Sequence, residues 1–408
     1  MKIILYSPLK NKLSINALAG ALSCDRELRD TPIAFPSSPQ ELLEEFRKAK
    51  HAEGSLVMGF SFFSSQAKET FALVKRLRKP GKFETIFIAG GAHPSGAPEH
   101  TLRNGFDAVC IGEGEKTFIE FLRKIKKGSD WRALDGLACL EKGVFKRGKP
   151  RPPIRLDDYP PFSQQHGRYG VIEITRGCPH ACKFCQTSHI HGLKQRHRSV
   201  ETVLGYARLM HERGMSDFRA VTPDAFAYGA KDGGINYAAL EKLLGGLHKI
   251  LKPRGKIFFG SFPSEVRPEH VTERTVALVR KYADNDNLVI GAQSASPRML
   301  KICGREHSVQ DIFRAAELTL KAGLRPYIDF IFRLPGETEA DARLSLAAMQ
   351  KLSAMGARIH AHTFMPLPGT AFALKTRGPR YPWFEAEIKK LNARGAVFGQ
   401  WREQASER

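Results

Sequence analysis

The sequence has 408 residues, 42% of them hydrophobic and 26% charged, which is long enough for two or three domains and ordinary for a soluble globular protein. No apolar run reaches membrane-spanning length, and the opening MKIILYSPLK has no cleavage-site pattern, so it is read as a first strand and a cytosolic location is expected. The net charge of +22 should attract an acidic partner, nucleic acid or protein, unless it is only a solvated basic surface; the charge alone does not choose.

The first third alternates strand-like and helix-like runs. KIILYSP (2–8) reads as a strand and SINALAGALS (14–23) as a helix. SLVMGFSFF (55–63) is a strand and SQAKETFALVKRLR (65–78) an amphipathic helix. TIFIAGGAHPS (85–95) is a strand that stops at a glycine pair. DAVCIGEGE (107–115) is a strand and KTFIEFLRKI (116–125) a helix. This βα rhythm predicts a parallel, doubly wound sheet over 1–127, with ligands expected beyond the carboxyl ends of its strands. Residues 128–165 read as a hairpin and a proline-rich linker, where a domain boundary is placed.

A second alternation follows. Its strands are YGVIEITRG, DFRAVTPDAF, KIFFGSF, NLVIGAQSAS, RPYIDFIFRLPGE and RIHAHTFMPLPGT. Helical runs separate them, beginning with SVETVLGYARLMHERG. Six βα units over 166–375 predict a partial (β/α)6 barrel, whose site should lie at the carboxyl ends of the strands. Residues 376–408 read as a helical extension. The expected fold class is thus α/β, a Rossmann-like domain followed by a partial TIM barrel.

The cysteines number seven, and three of them, Cys178, Cys182 and Cys185, are spaced C-x3-C-x2-C in TRGCPHACKFCQ. An odd count with a cluster argues for metal or redox chemistry over disulfides. Cys24, Cys110, Cys139 and Cys303 stand singly and read as small buried hydrophobes. Thiolates suit zinc, Cu(I) or iron–sulfur. Structural zinc would need a fourth ligand, for which His180, His189 and His191 are near in sequence, but zinc sites usually pair a C-x2-C with a distant second pair.

C-x3-C-x-F-C, with Phe184 before the third cysteine and a βα barrel opening around it, resembles the radical S-adenosylmethionine (SAM) superfamily. The resemblance implies that Cys178, Cys182 and Cys185 hold a [4Fe–4S] cluster whose fourth iron is open to SAM, and that electron transfer to SAM yields a 5′-deoxyadenosyl radical. It also implies SAM contacts from Phe184, from Thr222 and Asp224 in TPDAF, and from Gln293, Ser294, Ser296 and Arg305 in GAQSASPRMLKICGREHS. FRLPGET (332–338) and HTFMPLPGT (362–370) match segments that border adenine and substrate. A Gly-Gly-Glu type motif, frequent in the superfamily at the second strand end, is absent here.

The N-terminal runs GFSFFSSQ, IAGGAHPSGAPE and GFDAVCIGEGEKTF resemble the cobalamin-binding domain fused to many radical SAM proteins. The implied cobalamin contacts are Ser61, Ser64, Ser65, Gly90, Gly91, His93, Gly112, Glu113, Gly114 and Glu115. Glycines at strand ends would let the corrin tail approach the backbone. The Asp-x-His-x-x-Gly loop of His-on enzymes is missing after the first strand, so no histidine is expected below the cobalt.

Together the two resemblances imply a class B radical SAM C-methyltransferase, moving a methyl group from methylcobalamin to an unactivated carbon with two SAM per turnover and an external one-electron reductant. The chain is similar to compact archaeal-type members. That implies an acidic protein substrate, a glutamine of methyl-coenzyme M reductase foremost, or a small molecule. Rearrangement or cyclisation of a small molecule is an alternative. So is a tRNA methylthiotransferase, but the extra cysteines and the C-terminal RNA-binding β-domain of those enzymes are missing, which argues against nucleic acid.

Overall fold

The structure, a computed structural model, describes residues 1–49, 54–78 and 85–406. The end of the basic stretch VKRLRKPGKF (79–83) and the last two residues of the C-terminal extension lie outside them. The chain divides into two compact units, Met1–Gly170 with Leu367–Gly369, and Val171–Pro366 with Thr370–Arg408.

In the first unit, β1 (Lys2–Tyr6), β2 (Ile33–Ala34), β3 (Leu56–Ser61), β4 (Thr85–Gly90) and β5 (Ala108–Cys110) are parallel, and β6 (Leu137–Glu141) and β7 (Val144–Arg147) add antiparallel, in the order β2-β1-β3-β4-β5-β6-β7. LVMGFS of β3 is buried at every position, as a central strand covered on both faces must be. Successive residues serve opposite faces. Ile3, Leu5 and Val57 pack with Phe118, Phe121 and Leu122 of one helix layer, while Ile4, Met58 and Phe60 pack with Leu42, Phe46 and Phe71 of the other. The helix Pro39–Ala49 was not anticipated, although Leu42, Phe46 and Ala49 give it a buried stripe at helical spacing.

The hairpin expected in 128–165 is formed by β6 and β7, and it joins the first sheet. Ala108 pairs with Cys139 and Cys110 with Leu137, so β6 and β7 extend the first sheet, and Trp131 joins its core. The first unit therefore runs to Gly170. Among the single cysteines, Cys110, Cys139 and Cys303 are buried as expected, but Cys24, just past the end of the helix Lys12–Ser23, is exposed.

In the second unit, β8 (Ile172–Glu173), β9 (Thr175–Arg176), β10 (Arg196–His197), β11 (Asp217–Val221), β12 (Lys256–Phe258), β13 (Asn287–Gln293), β14 (Arg325–Phe332), β15 (Arg358–Thr363) and β16 (Val397–Phe398) form a parallel set β12-β11-β8, a parallel set β13-β14-β15-β16 and an antiparallel pair β10-β9. A parallel bridge between Val266 and Ile290 ties the two sets. The Val289 N–H, which donates to Gly260 O at 2.9 Å, reinforces that tie. Helices follow the strands, and several start at a side-chain cap: Ser199, Thr272, Ser308 and Thr338 each accept a backbone N–H three residues on.

Two expectations change here. YGVIEITRG is split, because Ile174 turns between β8 and β9: its N–H goes to Val221 O while its carbonyl accepts from Arg198. The C-terminal extension is not purely helical. Gly395, at φ +74°, turns the chain after the helix Pro382–Ala393, and β16 then pairs with β15, Ile359 opposite Val397 and His360 opposite Phe398. The barrel thereby gains a strand beyond the six predicted.

Candidate functional site

The cysteine loop leaves β9 through Gly177, at φ +85°, where a β-carbon would collide with Lys194 O. The loop is fastened by its backbone. Cys178 N donates to Gly192 O (3.1 Å), Lys183 N to Cys303 O (2.9 Å), Phe372 N to Lys183 O (3.1 Å), and Ser188 Oγ to Cys178 O (2.8 Å). Phe184 anchors it, packing against the buried cluster of Met299, Cys303, Leu334, Phe364 and Phe372. Those fastenings leave the three thiols as the loop's reactive groups.

Burial pushes the Cys178 thiol up to about 11, with Cys182 and Cys185 adding to it, and burial raises Cys185 as well. Such thiols lose their protons to a metal rather than to neutral water. Four sulfurs around one zinc at about 2.3 Å would stand roughly 3.8 Å apart. Among the described residues the one group whose ligand atoms all lie within 4.8 Å of one another is Asp329, His360 and His362, so the three thiols are not gathered on a single ion. Cys303 does not complete the set: it is buried in the apolar cluster, and burial pushes its thiol up to about 12.

Positive charge surrounds the loop. Arg305 Nη1 donates to Cys182 Sγ at 3.5 Å and Nη2 bonds Gly291 O. Arg267, 4% exposed, pairs through Nε with Glu269 (2.5 Å). His180 Nδ1 lies 2.5 Å from Glu306 Oε2, and Asp224 Oδ2 2.5 Å from His270 Nδ1. Burial opposes protonation of His270, but the bond from Asp224 outweighs it and the imidazole titrates above its usual value. Burial, with Asp329 adding, lifts the Glu265 carboxyl to about 7 against the pull of Arg305. Arg305 Nε and His180 Nε2 are buried with no hydrogen-bond partner. An orphaned donor on Arg305 and an orphaned ring nitrogen on His180, beside three thiols, fit a cluster with a polar co-ligand such as SAM.

The structure brings some expected SAM contacts together and gives others local tasks. Thr222 Oγ1 and Asp224 close a turn at the end of β11 (Thr222 Oγ1 to Asp224 O, 3.0 Å), and Asp224 Oδ1 caps Phe226 N. Gln293 ends β13 at φ +70°, a strained value for a side chain bearing a β-carbon. Ser294 and Ser296 are fully buried: Ser296 Oγ caps Met299 N and donates to Asp341 (2.5 Å), and Ser294 Oγ accepts from Ser296 N. Sequence reasoning missed Glu265, Arg267, His270, Asp329, His360 and His362. EVRPEH and RIHAHT were visible, but only the strand register gathers them.

In the first unit the expected cobalamin contacts fall on three adjacent strand ends. Gly91, at φ +91°, sits so close that a β-carbon would stand 2.7 Å from Ser61 Oγ. His93 Nδ1 bonds Ser64 Oγ at 3.0 Å, and Gly112 N donates to Ser95 Oγ at 3.0 Å, linking the ends of β3, β4 and β5. Ser65 is exposed, a β-carbon on Gly90 would stand in ordinary contact with Cys110 at 3.8 Å, and Gly114 begins the helix Gly114–Lys126, in whose first turn Glu115 is buried. Glu113 Oε2 accepts from Ile154 N (2.8 Å). Burial, reinforced by His100, lowers His93 to about 4, so its ring is neutral. His93 Nε2 and Asn11 Oδ1, at this same edge, are buried without partners, a polar lining that fits a large hydrogen-bonding ligand such as cobalamin.

Residues 172–348 match the model of the Radical SAM superfamily, and residues 11–122 match the model of the B12 binding domain. Residues 172–348 are thus a radical SAM domain. The same chain also carries a B12 binding domain. An uncharacterised methyltransferase of Pyrococcus horikoshii is 28% identical over 329 residues, 77% of this chain and 68% of that protein. The cytidylyl-2-hydroxyethylphosphonate methyltransferase of Streptomyces wedmorensis is 29% identical over 209 residues, 40% of this chain and 39% of that one. Among solved structures, the radical SAM methyltransferase TsrM from Kitasatospora setae, with cobalamin and a [4Fe–4S] cluster bound, superposes with a TM-score of 0.70 at 16% identity, covering 92% of this chain and 74% of that one. At that identity the likeness is one of fold. No helix among the described residues is long and apolar enough to cross a membrane.

Proposed function

We propose that the chain transfers a methyl group from cobalamin to an unactivated carbon of its substrate. The observation that carries this is the three-thiol loop with Arg305 on Cys182, in one chain with the B12-binding domain. When bound, the cluster and SAM would supply radical chemistry and the cobalamin the transferable methyl. Cys178, Cys182 and Cys185 would hold the cluster, with electrons from an external one-electron donor. Arg305 and Arg267 offset negative charge there, and the unpartnered Arg305 Nε and His180 Nε2 would orient SAM, the first as donor and the second as acceptor. Ser61, Ser64, Gly91, His93 and Gly112 would line the cobalamin edge.

The acceptor lies open between two forms. The resemblance to compact archaeal-type proteins supports a glutamine side chain of methyl-coenzyme M reductase, and the charge of +22 suits docking on an acidic protein. A cavity of about 610 Å³ in the second unit, lined by Phe258, Glu265, Tyr327 and Phe398, supports a small acceptor held in the lumen. A tRNA methylthiotransferase would need a second cluster in the first unit, where Cys110 and Cys139 are buried in the core and Cys24 stands apart.

Reconstituted protein given methyl-labelled SAM, a reductant and either unmodified methyl-coenzyme M reductase or small acceptors tests the reading. Labelled product formed with an equal amount of 5′-deoxyadenosine is expected. Deoxyadenosine with no label transferred to any acceptor would replace methyl transfer by rearrangement or cyclisation.

A further inference from the structure

The barrel lumen holds a second group of ligand-bearing side chains besides the three thiols. β14 and β15 run parallel with Asp329 opposite His360, and alternate residues of a strand share a face, so Asp329, His360 and His362 turn to the same side. His360 Nδ1 lies 2.9 Å from Asp329 Oδ1 and 3.3 Å from His362 Nε2. One nitrogen therefore faces two partners, and a single proton there has to be shared between them. A cation in that place would engage all three lone pairs at once.

The spacing suits a metal. Ligand atoms about 2.1 Å from a common ion stand roughly 3.0 Å apart at right angles and roughly 3.4 Å apart in a tetrahedron. The rings are held from behind: His360 stacks on Phe398 at 4.7 Å and 13°, and the other nitrogen of His362 is 3.4 Å from the side-chain amide of Gln404, the kind of outer support that fixes a metal ligand. All three side chains line the cavity of about 610 Å³, which leaves room for open coordination positions on an ion.

We propose that Asp329, His360 and His362 form a mononuclear site for a divalent first-row metal ion in the barrel lumen, with open positions facing the cavity. Two imidazoles and one carboxylate suit Zn(II), Fe(II), Co(II) or Mn(II), and the open positions suit an oxygen ligand, from water or substrate. The site does not depend on the methyl-transfer reading.

Zinc is the probe, because elemental analysis separates it from cluster iron and from the cobalt of cobalamin. Full-length protein with its cluster reconstituted would be incubated with zinc, freed of excess, and analysed for zinc, iron and sulfide. One zinc per chain is expected, with affinity reduced at least tenfold in His360→Gln and in His362→Gln while iron and sulfide stay at the parent values. Absence of retained zinc, zinc retained equally by the variants, or zinc gained only as iron is lost would each overturn the site. Asp329→Asn, which keeps the size of the side chain, carries the test if a histidine variant melts early, and is expected to lose zinc as well.

Discussion

Alanine at Gly177 should strip the cysteine loop of its cluster, and alanine at Gly192 should do so far less. Both glycines hold positive φ, at +85° and +82°. Giving either one a β-carbon costs about 1–3 kcal/mol in backbone strain. The surroundings then separate them: at Gly192 nothing lies within 4 Å of a β-carbon, whereas at Gly177 it would collide with Lys194 O and stand 3.2 Å from Gly192 O. Gly192 O also accepts the Cys178 N–H, so relieving the collision moves the first cysteine. Forcing a carbon into a packed place costs about a further 1–3 kcal/mol. The difference between the variants, about 1–3 kcal/mol, corresponds to roughly a five- to hundredfold loss of the cluster-bearing loop conformation. Iron and sulfide per chain after anaerobic reconstitution, and the rate of iron loss to a chelator, report that population. Equal retention in the two variants would refute the claim that the Lys194 carbonyl fixes the loop.

Two further predictions concern protonation. Burial lifts the Glu337 carboxyl to about 7, although it accepts the Arg333 N–H at 2.7 Å; the protonated form favours the folded state, fully below the ordinary value of about 4.3, and that stability is lost as pH rises to about 7. Glu337→Gln should therefore be the more stable protein at pH 8, by up to about 3 kcal/mol, and the gap should close toward pH 5 in urea unfolding; a pH-independent difference would contradict it. His93, lowered to about 4 by burial and by His100, has the opposite sign, its contribution being present above about 6.5 and lost as pH falls toward about 4. Its imidazole resonances, assigned with His93→Gln, should not titrate near pH 6.5.

What the sequence made legible was local. The three cysteines, Phe184 and the glycines at strand ends declare themselves within a few residues, and the βα rhythm follows from apolar runs of strand and helix length. What stayed hidden depends on register. Asp329 and His360 meet only because β14 and β15 pair at that position, and the edge strand β16 is a two-residue segment recognisable only by the neighbour it pairs with. Ser294 and Ser296 show the converse. Their residue types suggested ligand contacts, but a serine before Pro297 is also a helix cap, and the partners Asp341 and Ser345 that occupy them lie 45 and 51 residues further on, past two helices and a strand.

Backbone strain locates the site without reference to any motif. Four non-glycine residues among those described have positive φ: Lys142, Ala181, Gln293 and Arg333. Lys142 sits in the β6–β7 turn, where such a conformation is routine. The other three lie in the second unit at the carboxyl side of its strands: Ala181 inside the cysteine loop, Gln293 at the end of β13 and Arg333 just past β14. Strain of about 1–3 kcal/mol at each persists only where the surroundings over-determine it. They do so here. Arg333 N donates to Glu337 and its Nε to Gly378 O at 3.1 Å, Gln293 is held in register opposite Phe330, and the loop around Ala181 is tied to Cys303 through Lys183. Regular strands relax into ordinary dihedrals when nothing opposes it. The concentration of unrelaxed residues at one end of the barrel therefore marks that end as the one shaped for binding, independently of the thiols that lie there.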